Sequence, residues 1–313
     1  MKSLKKTIVA AAVVLACGTA SANDMYIDLG TNDYDWTLLP IKVADADSTT
    51  GTFTEFGFSQ LLATSIYDGL TPGVSSVVDT NIESILASYG LPASGTALDG
   101  STTVNLDMPD CAAGQCDIDA LSPLVPPLGS DNEGFLVTWD LQVEYYLEGT
   151  LTAAGVDFTS GYINILFNEL GNDTYVSGTR TAIDMSGANE GVVLSANLTG
   201  AQLTAANLNL FFDLTYAKDN FLYIDTGGGY TDAADLILAG NNPELVLDTN
   251  VNPPFPTDDQ LLPVSSAMGD FLIRQSTLDG SITIPEPGTI AMLGMGLLGL
   301  GAAGIRRRRQ AAA

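Results

Sequence analysis

Residues 135–147 read FLVTWDLQVEYYL. Apolar or aromatic side chains stand at every second position of this stretch, with mostly polar residues between them: Phe135, Val137, Trp139, Leu141, Val143, Tyr145 and Leu147. Successive side chains of a strand point to opposite faces, so a period of two predicts a strand with one buried face. Helical patterns are fewer and shorter, so this stretch decides the fold class.

Similar alternation predicts further strands over residues 162–170 and 208–217. Shorter candidates read TVNLDM, GVVLSANL, NFLYID, ELVLD and SITI, separated by Gly, Asn, Asp and Pro clusters that are typical of turns. We therefore predict a mainly β fold, an antiparallel β-sandwich or jelly-roll-like body with a few short helices. No tandem repeat divides residues 23–284, which we expect to form one acidic extracytoplasmic domain.

Two short helices are predicted in this body. Residues 80–83, Thr-Asn-Ile-Glu, match a capping box, and Ile82, Ile85, Leu86 and Tyr89 form one apolar face before Gly90. A second helix is expected to start near Thr257 and run towards Met268.

The N-terminus has the features of a secretory signal peptide. Three lysines precede a short apolar run, and Ala20-Ser21-Ala22 provides a cleavage site, so signal peptidase is expected to remove residues 1–22 between Ala22 and Asn23. An alternative is a lipoprotein site at Cys17, although Leu15 lies one position away from the usual pattern.

The C-terminus combines an uncharged segment with a basic cluster. Residues 289–305 would form a helix of about 26 Å, close to the hydrocarbon thickness of a membrane. The cluster Arg306, Arg307, Arg308 and Arg309 would keep the following tail, residues 310–313, on the cytoplasmic side. We therefore predict a C-terminal transmembrane helix.

Residues 285–309 closely resemble a PEP-CTERM sorting signal. Pro285, Glu286, Pro287 and Gly288 precede the glycine-interrupted apolar segment and the arginine cluster in the order found in that family. The resemblance implies processing at Pro-Glu-Pro (285–287) by an exosortase, with the arginines as a retention signal. It also implies transient anchoring in the inner membrane, then a place on the cell surface or in the extracellular matrix of bacteria that form exopolysaccharide, biofilms or flocs. The alternative is an ordinary single-span anchor.

The body is strongly acidic. Residues 23–284 contain 36 acidic and 4 basic residues, a formal net charge of -32, which excludes nucleic acid and disfavours direct binding to polyanions. Calcium is a candidate ligand and could bridge the body to anionic polysaccharide, because closely spaced acidic residues offer oxygen ligands on predicted loops. The candidates are Asp33, Asp35, Asp45, Asp47, Asp117 and Asp119, with Asp131/Glu133 and Asp232/Asp235 as further pairs. A solvated acidic surface is the alternative.

Cys111 and Cys116 are the two cysteines of the exported body, and the simplest expectation is a disulfide closing a small loop. A redox role would usually require the C-x-x-C spacing. The chain has no histidine, which removes histidine-ligated zinc and histidine-dependent nucleophiles.

Carboxylate chemistry is what remains for an enzyme. Residues 222–227, LYIDTG, resemble the Asp-Thr-Gly element of aspartic proteases, which need two aspartates, but the other Asp-Thr pairs continue with Asn. We interpret DTGGGY as a strand ending in a glycine-rich turn. We expect no catalytic residues and no cofactor apart from calcium, hence a structural or adhesive protein. The alternatives are a secreted carboxylate-dependent hydrolase of matrix polysaccharide and a permanently anchored surface binding module.

Overall fold

The computed structural model describes residues 22–30, 48–92, 120–123, 139–169, 191–204, 207–250 and 254–285 of the 313-residue chain. Every pairing between the described strands is antiparallel. The strands are β1 Met25–Ile27, β2 Glu55–Tyr67, β3 Ser76–Thr80, β4 Ala120–Pro123, β5 Trp139–Thr152, β6 Gly155–Glu169, β7 Gly191–Thr204, β8 Asn207–Ala217, β9 Leu222–Asp225, β10 Tyr230–Asp232, β11 Glu244–Asn250, β12 Leu261–Ser266 and β13 Gly269–Thr283. The helices are α1 Glu83–Ser88 and α2 Ala233–Leu238, with a 3-10 turn at Asp258–Gln260.

The large sheet contains ten strands in the order β12-β13-β11-β8-β7-β6-β5-β3-β2-β4. Strand β13 also pairs with β2 over almost its whole length, from Leu272↔Tyr67 to Thr283↔Glu55. Strands β3 and β4 both lie between β2 and β5. Strand β4 pairs near the beginning of β2, and β3 pairs near its end. The sheet therefore closes on itself.

Closure replaces the expected sandwich. The predicted mainly antiparallel β fold is confirmed, but most of the core lies inside one ten-stranded sheet that closes on itself, where a sandwich or jelly-roll-like pair of sheets was expected. Long strands with register shifts make this curvature possible, since a bulge adds local twist. Such shifts occur between Ser276 and Leu278 in β13 and between Glu148 and Gly149 in β5. Closure also pairs the edges that β2 and β13 would otherwise expose.

The interior of the ring holds the main core. On β5, the side chains of Trp139, Leu141 and Val143 are at most 1% exposed, in agreement with the alternation that predicted this strand. The Trp139 indole stacks on the Phe167 ring of β6 with ring centroids 5.3 Å apart. Burying side chains of this size supplies about 1.5–3 kcal/mol each.

A second sheet of three strands, β1-β9-β10, packs its apolar face onto this core. Met25, Ile27, Leu222 and Ile224 point inward and are at most 1% exposed. Helix α2 follows directly and joins the same cluster through Ala233 and Ala234. The small sheet therefore leaves its opposite face towards solvent.

The first predicted helix is confirmed, but its capping is different. Thr80 ends strand β3, and its hydroxyl donates to the Tyr145 carbonyl and accepts from the Ile82 amide. The Ile82 cap has no side-chain hydrogen bond, so the expected capping box is absent at this helix. Leu86 packs beneath α1 against Ile66 and Ile273, on the outside of the large sheet.

The second predicted helix is wrong beyond its first turn. A capping box does form between Thr257 and Gln260, but it starts a single 3-10 turn, after which the chain becomes strand β12. Pro263 explains the outcome, because proline breaks a helix interior and is tolerated on an edge strand. Strand β12 pairs only with β13 among the described strands.

Candidate functional site

The two ends of the described body meet. The Asn23 backbone amide donates to the Ile284 carbonyl at 2.8 Å, and its side-chain amide donates to the Pro285 carbonyl at 3.3 Å. Ala22 and Pro285 form an antiparallel bridge. Asn23 and Ile284 are 6% and 2% exposed, so this contact is part of the folded body. We call Ala22, Asn23, Ile284 and Pro285 the terminal junction.

The junction brings together the two positions at which the sequence predicts cleavage. Ala22-Asn23 is the predicted signal-peptidase site, and Pro285 is the first residue of the predicted exosortase motif. Strand β13 ends at Thr283, so only Ile284 separates the last strand from Pro285. Glu286, Pro287, Gly288 and the arginines 306–309 lie outside the described residues.

The solvent face of the small sheet carries three tyrosines, which we call the tyrosine face. Tyr26 and Tyr223 are cross-strand partners whose rings stack at 4.8 Å and 5°. Tyr230 meets Tyr26 edge to face at 4.9 Å and is 41% exposed. Because side chains alternate along a strand, the apolar residues between them face the core. The tyrosines thus form an ordered aromatic surface.

Carboxylates surround these rings. Partial burial raises the pKa of the Tyr26 and Tyr223 phenols, and the negative charges of Asp28 and Asp232 raise both further. The Tyr223 hydroxyl donates to the Asn220 side chain at 3.3 Å. Phenols and carboxylates together present hydrogen-bonding groups beside apolar ring surface, which is the composition of polar recognition surfaces.

The LYIDTG element lies at the end of the same sheet. The Asp225 carboxylate accepts from the Gly227 amide at 2.8 Å, and the chain turns through Gly227 and Gly229 at φ +80° and +120° into β10. The interpretation as a strand ending in a glycine-rich turn is confirmed. Because Asp225 holds its own turn, it resembles a turn residue more than a catalytic aspartate.

A polar row crosses the interior of the ring, and we define it as Arg274, Ser65 and Asp79. Ser65 on β2 is the cross-strand partner of Arg274 on β13 and of Asp79 on β3. Arg274 is 4% exposed. Burial raises the pKa of Asp79 to about 6, against the opposing effects of a Ser65 hydrogen bond and the Arg274 charge. Burial likewise raises the pKa of the neighbouring Tyr67 to about 12.

Sequence reasoning missed the polar row. The available signal was Arg274, which is one of only four basic residues in the body. In a strand it would lie on the same face as Leu272 and Ser276, two positions away on either side. Asp79 belongs to one of the Asp-Thr pairs that continue with Asn, and this pattern does not indicate a buried carboxylate. Their proximity depends on β13 pairing with β2, about 200 positions apart in the chain, which local patterns do not encode.

The predicted calcium and disulfide residues, Asp33, Asp35, Asp45, Asp47, Asp117, Asp119, Cys111 and Cys116, all lie outside the described residues. Asp232, from a further predicted pair, accepts from the Asn220 and Ala234 amides and caps α2. Within the described ranges, no group of three or more acidic or cysteine side chains is arranged to hold a metal ion. No helix of the described part is long and apolar enough to cross a membrane, and the predicted span 289–305 lies outside it.

Comparison with known proteins identifies one region. Residues 283–309 match the family model of the PEP-CTERM protein-sorting motif, beginning at the last residue of β13. The search of curated proteins found no match, and the search of solved structures found none either. The comparisons therefore give no information about the function of the body, which has to be inferred from its structure. The end of the chain carries the PEP-CTERM sorting motif, which indicates an exported protein that an exosortase processes.

Proposed function

We propose that this protein is a non-enzymatic surface or extracellular-matrix component with a structural or adhesive role in biofilm or floc formation. The observation that carries the proposal is the sorting motif at residues 283–309, which begins at the last residue of the last strand of the folded body. Cleavage at a motif in this position would release the whole acidic body as one unit. The terminal junction supports this arrangement, since both predicted cuts fall at one end of the fold.

The tyrosine face supports the adhesive part of the role. Its rings lie on an ordered sheet whose other side is anchored in the core, so binding does not require a loop to become ordered. Sugar hydroxyls can pair with the phenols, while the rings offer apolar surface. We therefore assign extracellular polysaccharide as the partner of this surface.

The interior favours this role over the hydrolase. A glycosidase needs two carboxylates facing the scissile bond. A cavity of about 80 Å³ lies inside the closed sheet, and among the described residues its lining contains one carboxylate, Asp79. Arg274 is part of the same lining, and its positive charge acts on Asp79.

Calcium is the proposed bridge where the polysaccharide is anionic, because the body itself carries a formal net charge of -32 between residues 23 and 284. Isothermal titration calorimetry of the full chain with millimolar calcium should give saturable heat. Absence of heat would remove calcium from the proposal.

Processing is tested by intact-mass and terminal-peptide mass spectrometry on protein from the native host, separated into medium, surface and membrane fractions. We expect a released form that starts at Asn23 and ends near Pro285-Glu286. Glu286→Ala should keep the chain in the membrane fraction, and Glu83→Ala, an exposed change on α1, should leave release unchanged. A wild-type membrane form running to Ala313, with no released form, would contradict the proposal and favour a plain anchor.

Adhesion is tested by retention of the full chain on extracellular polysaccharide isolated from the host, with and without calcium. Tyr230→Ala should reduce retention at least five-fold. Tyr216→Ala is the matched control, because Tyr216 is 47% exposed but lies on β8, outside the small sheet. Equal retention of wild type and both variants would refute the assignment of the tyrosine face.

A further inference from the structure

The strands of the small sheet place only tyrosines and aspartates on its outward side. Successive side chains of a strand point to opposite faces, and cross-strand partners share a face. The register of β1, β9 and β10 therefore puts five strand residues on this side: Tyr26, Tyr223, Asp225, Tyr230 and Asp232. Asp24 and Asp28 flank β1, two positions from Tyr26 on either side. The tyrosine face thus lies among four carboxylates, with no basic residue at any of these positions.

Backbone amides hold three of these carboxylates in place. The Asp28 carboxylate accepts from the Gly30 amide at 2.8 Å, and Asp225 accepts from the Gly227 amide at the same distance. Each oxygen of Asp232 accepts from a different amide. An amide carries no formal charge, so these contacts leave the negative charges uncompensated. The aspartates therefore act on the tyrosine face mainly as fixed negative charges.

The charges act on the tyrosine rings. Partial burial raises the pKa of the Tyr230 phenol, and the negative charges of Asp24 and Asp225 raise it further. Burial and neighbouring aspartates also raise the pKa values of the other two phenols. Among the described residues, no basic side chain lowers the pKa of any of the three. The potential at the rings is therefore negative, which attracts a cation and repels an anion.

The rings themselves also favour a cation. An ammonium group within about 6 Å of a ring centroid is attracted to the electron-rich face of the ring. Tyr230 is exposed, and Tyr26 and Tyr223 are partly exposed beside it. The Tyr26 centroid lies 4.8 Å from that of Tyr223 and 4.9 Å from that of Tyr230, so the rings offer one continuous contact area. Such an area suits the flat apolar side of a sugar ring better than a single alkyl chain.

We infer that the tyrosine face binds a polysaccharide whose sugars carry free amino groups, with a sugar ammonium close to Tyr230 and the apolar side of the sugar against the rings. The inference rests on the proposed adhesive function and narrows its partner to a cationic polymer. A neutral sugar gains the ring contacts alone, whereas the aspartates repel an anionic sugar. A cationic polymer needs no calcium bridge to this face.

The test compares the β-1,4-linked glucosamine tetramer with its fully N-acetylated form, which is uncharged. Isothermal titration calorimetry uses the full chain at about pH 6, where amino groups are protonated and ordinary aspartates are ionised. The glucosamine tetramer should bind at least ten-fold more tightly than the acetylated one. Tyr230→Ala should weaken its binding at least five-fold, and Tyr216→Ala, at an exposed tyrosine on β8, should leave it unchanged.

A second pair of variants separates this surface from general attraction to the acidic body. Asp24→Asn, next to the tyrosine face, should weaken binding of the glucosamine tetramer at least three-fold. Asp248→Asn removes the same charge from an exposed position on β11 and should have no effect. Equal losses in the two variants would overturn the inference, because the binding would then reflect only the formal net charge of -32.

Further outcomes separate the inference from the adhesive role. Equal affinity for both tetramers, weakened by Tyr230→Ala, would overturn the cationic specificity and leave the adhesive role standing. Tetralysine that binds as tightly as the glucosamine tetramer, with the same loss in Tyr230→Ala, would overturn the assignment to a polysaccharide. Unchanged retention of Tyr230→Ala on host polysaccharide, with the preference for the glucosamine tetramer intact, would contradict the adhesive role while supporting the cationic specificity.

Discussion

Replacing Asp79 by asparagine should stabilise the protein at neutral pH and leave its stability at pH 3 nearly unchanged. Burial raises the pKa of Asp79 from 3.8 to about 6, with Ser65 and Arg274 only partly opposing the effect. Because the folded state then binds more protons than the unfolded state between about pH 4 and pH 6, wild-type stability should fall as pH rises through this window. Asparagine cannot ionise and should remove this loss.

The expected size follows from the same change. Each pKa unit corresponds to about 1.4 kcal/mol, so Asp79→Asn should raise the free energy of unfolding at pH 7 by about 3 kcal/mol. Urea denaturation followed by tryptophan fluorescence, at intervals from pH 3 to pH 8, measures this difference. Glu144 and Glu244, whose pKa values burial also raises, are present in both proteins and cancel in the comparison.

Asp248→Asn is the matched control, because Asp248 is exposed on β11 of the same sheet. It should change the free energy of unfolding by less than about 0.5 kcal/mol at any pH in the range. If Asp79→Asn were less stable than wild type at pH 7, the attraction between Asp79 and Arg274 would outweigh burial. The reasoning about the polar row would then be refuted.

Three further predictions, one of them with a control substitution, test the packing and the terminal junction. Gly161→Ala should cost about 3 kcal/mol or more, because a Cβ there would collide with the backbone of β5 at φ +149°, whereas Gly228→Ala, in open space, should have little effect on the urea midpoint. Trp139→Ala, at a fully buried ring, should lower the free energy of unfolding by about 3–5 kcal/mol, and a loss below about 1 kcal/mol would contradict the assigned core. Asn23→Ala should remove the side-chain hydrogen bond to Pro285, lower the free energy of unfolding by about 1 kcal/mol and speed carboxypeptidase trimming of the C-terminal end; unchanged trimming would argue against the junction.

Local patterns predicted the strand content because each strand has one face in the core. On β5 and β8 the apolar residues at alternate positions are buried, so the period of two was sufficient. Strand β2 was missed because its sequence, EFGFSQLLATSIY, mixes apolar and small polar residues without clean alternation. Helix α2 was missed although Asp232 and Gly240 provide its N-cap and its left-handed C-terminal residue.

The closed arrangement could not be predicted, because it depends on which distant strands pair. The alternation of a strand in a sandwich and of a strand in a closed sheet is the same, since both bury one face. The sorting motif was predictable because its residues are contiguous. The polar row and the tyrosine face each combine residues from separate strands, so they appear only once the register is known.

The position of β13 has a consequence for the timing of export. This strand closes the ring by pairing with β2 near the start of the body, and it is the last strand before the sorting motif. A chain that is exported with its N-terminus first leaves one edge of β2 unpaired until residues 269–283, which form β13, have also been exported. Completion of the fold and arrival of the processing site therefore coincide. A truncated body would keep open strand edges, which favour aggregation.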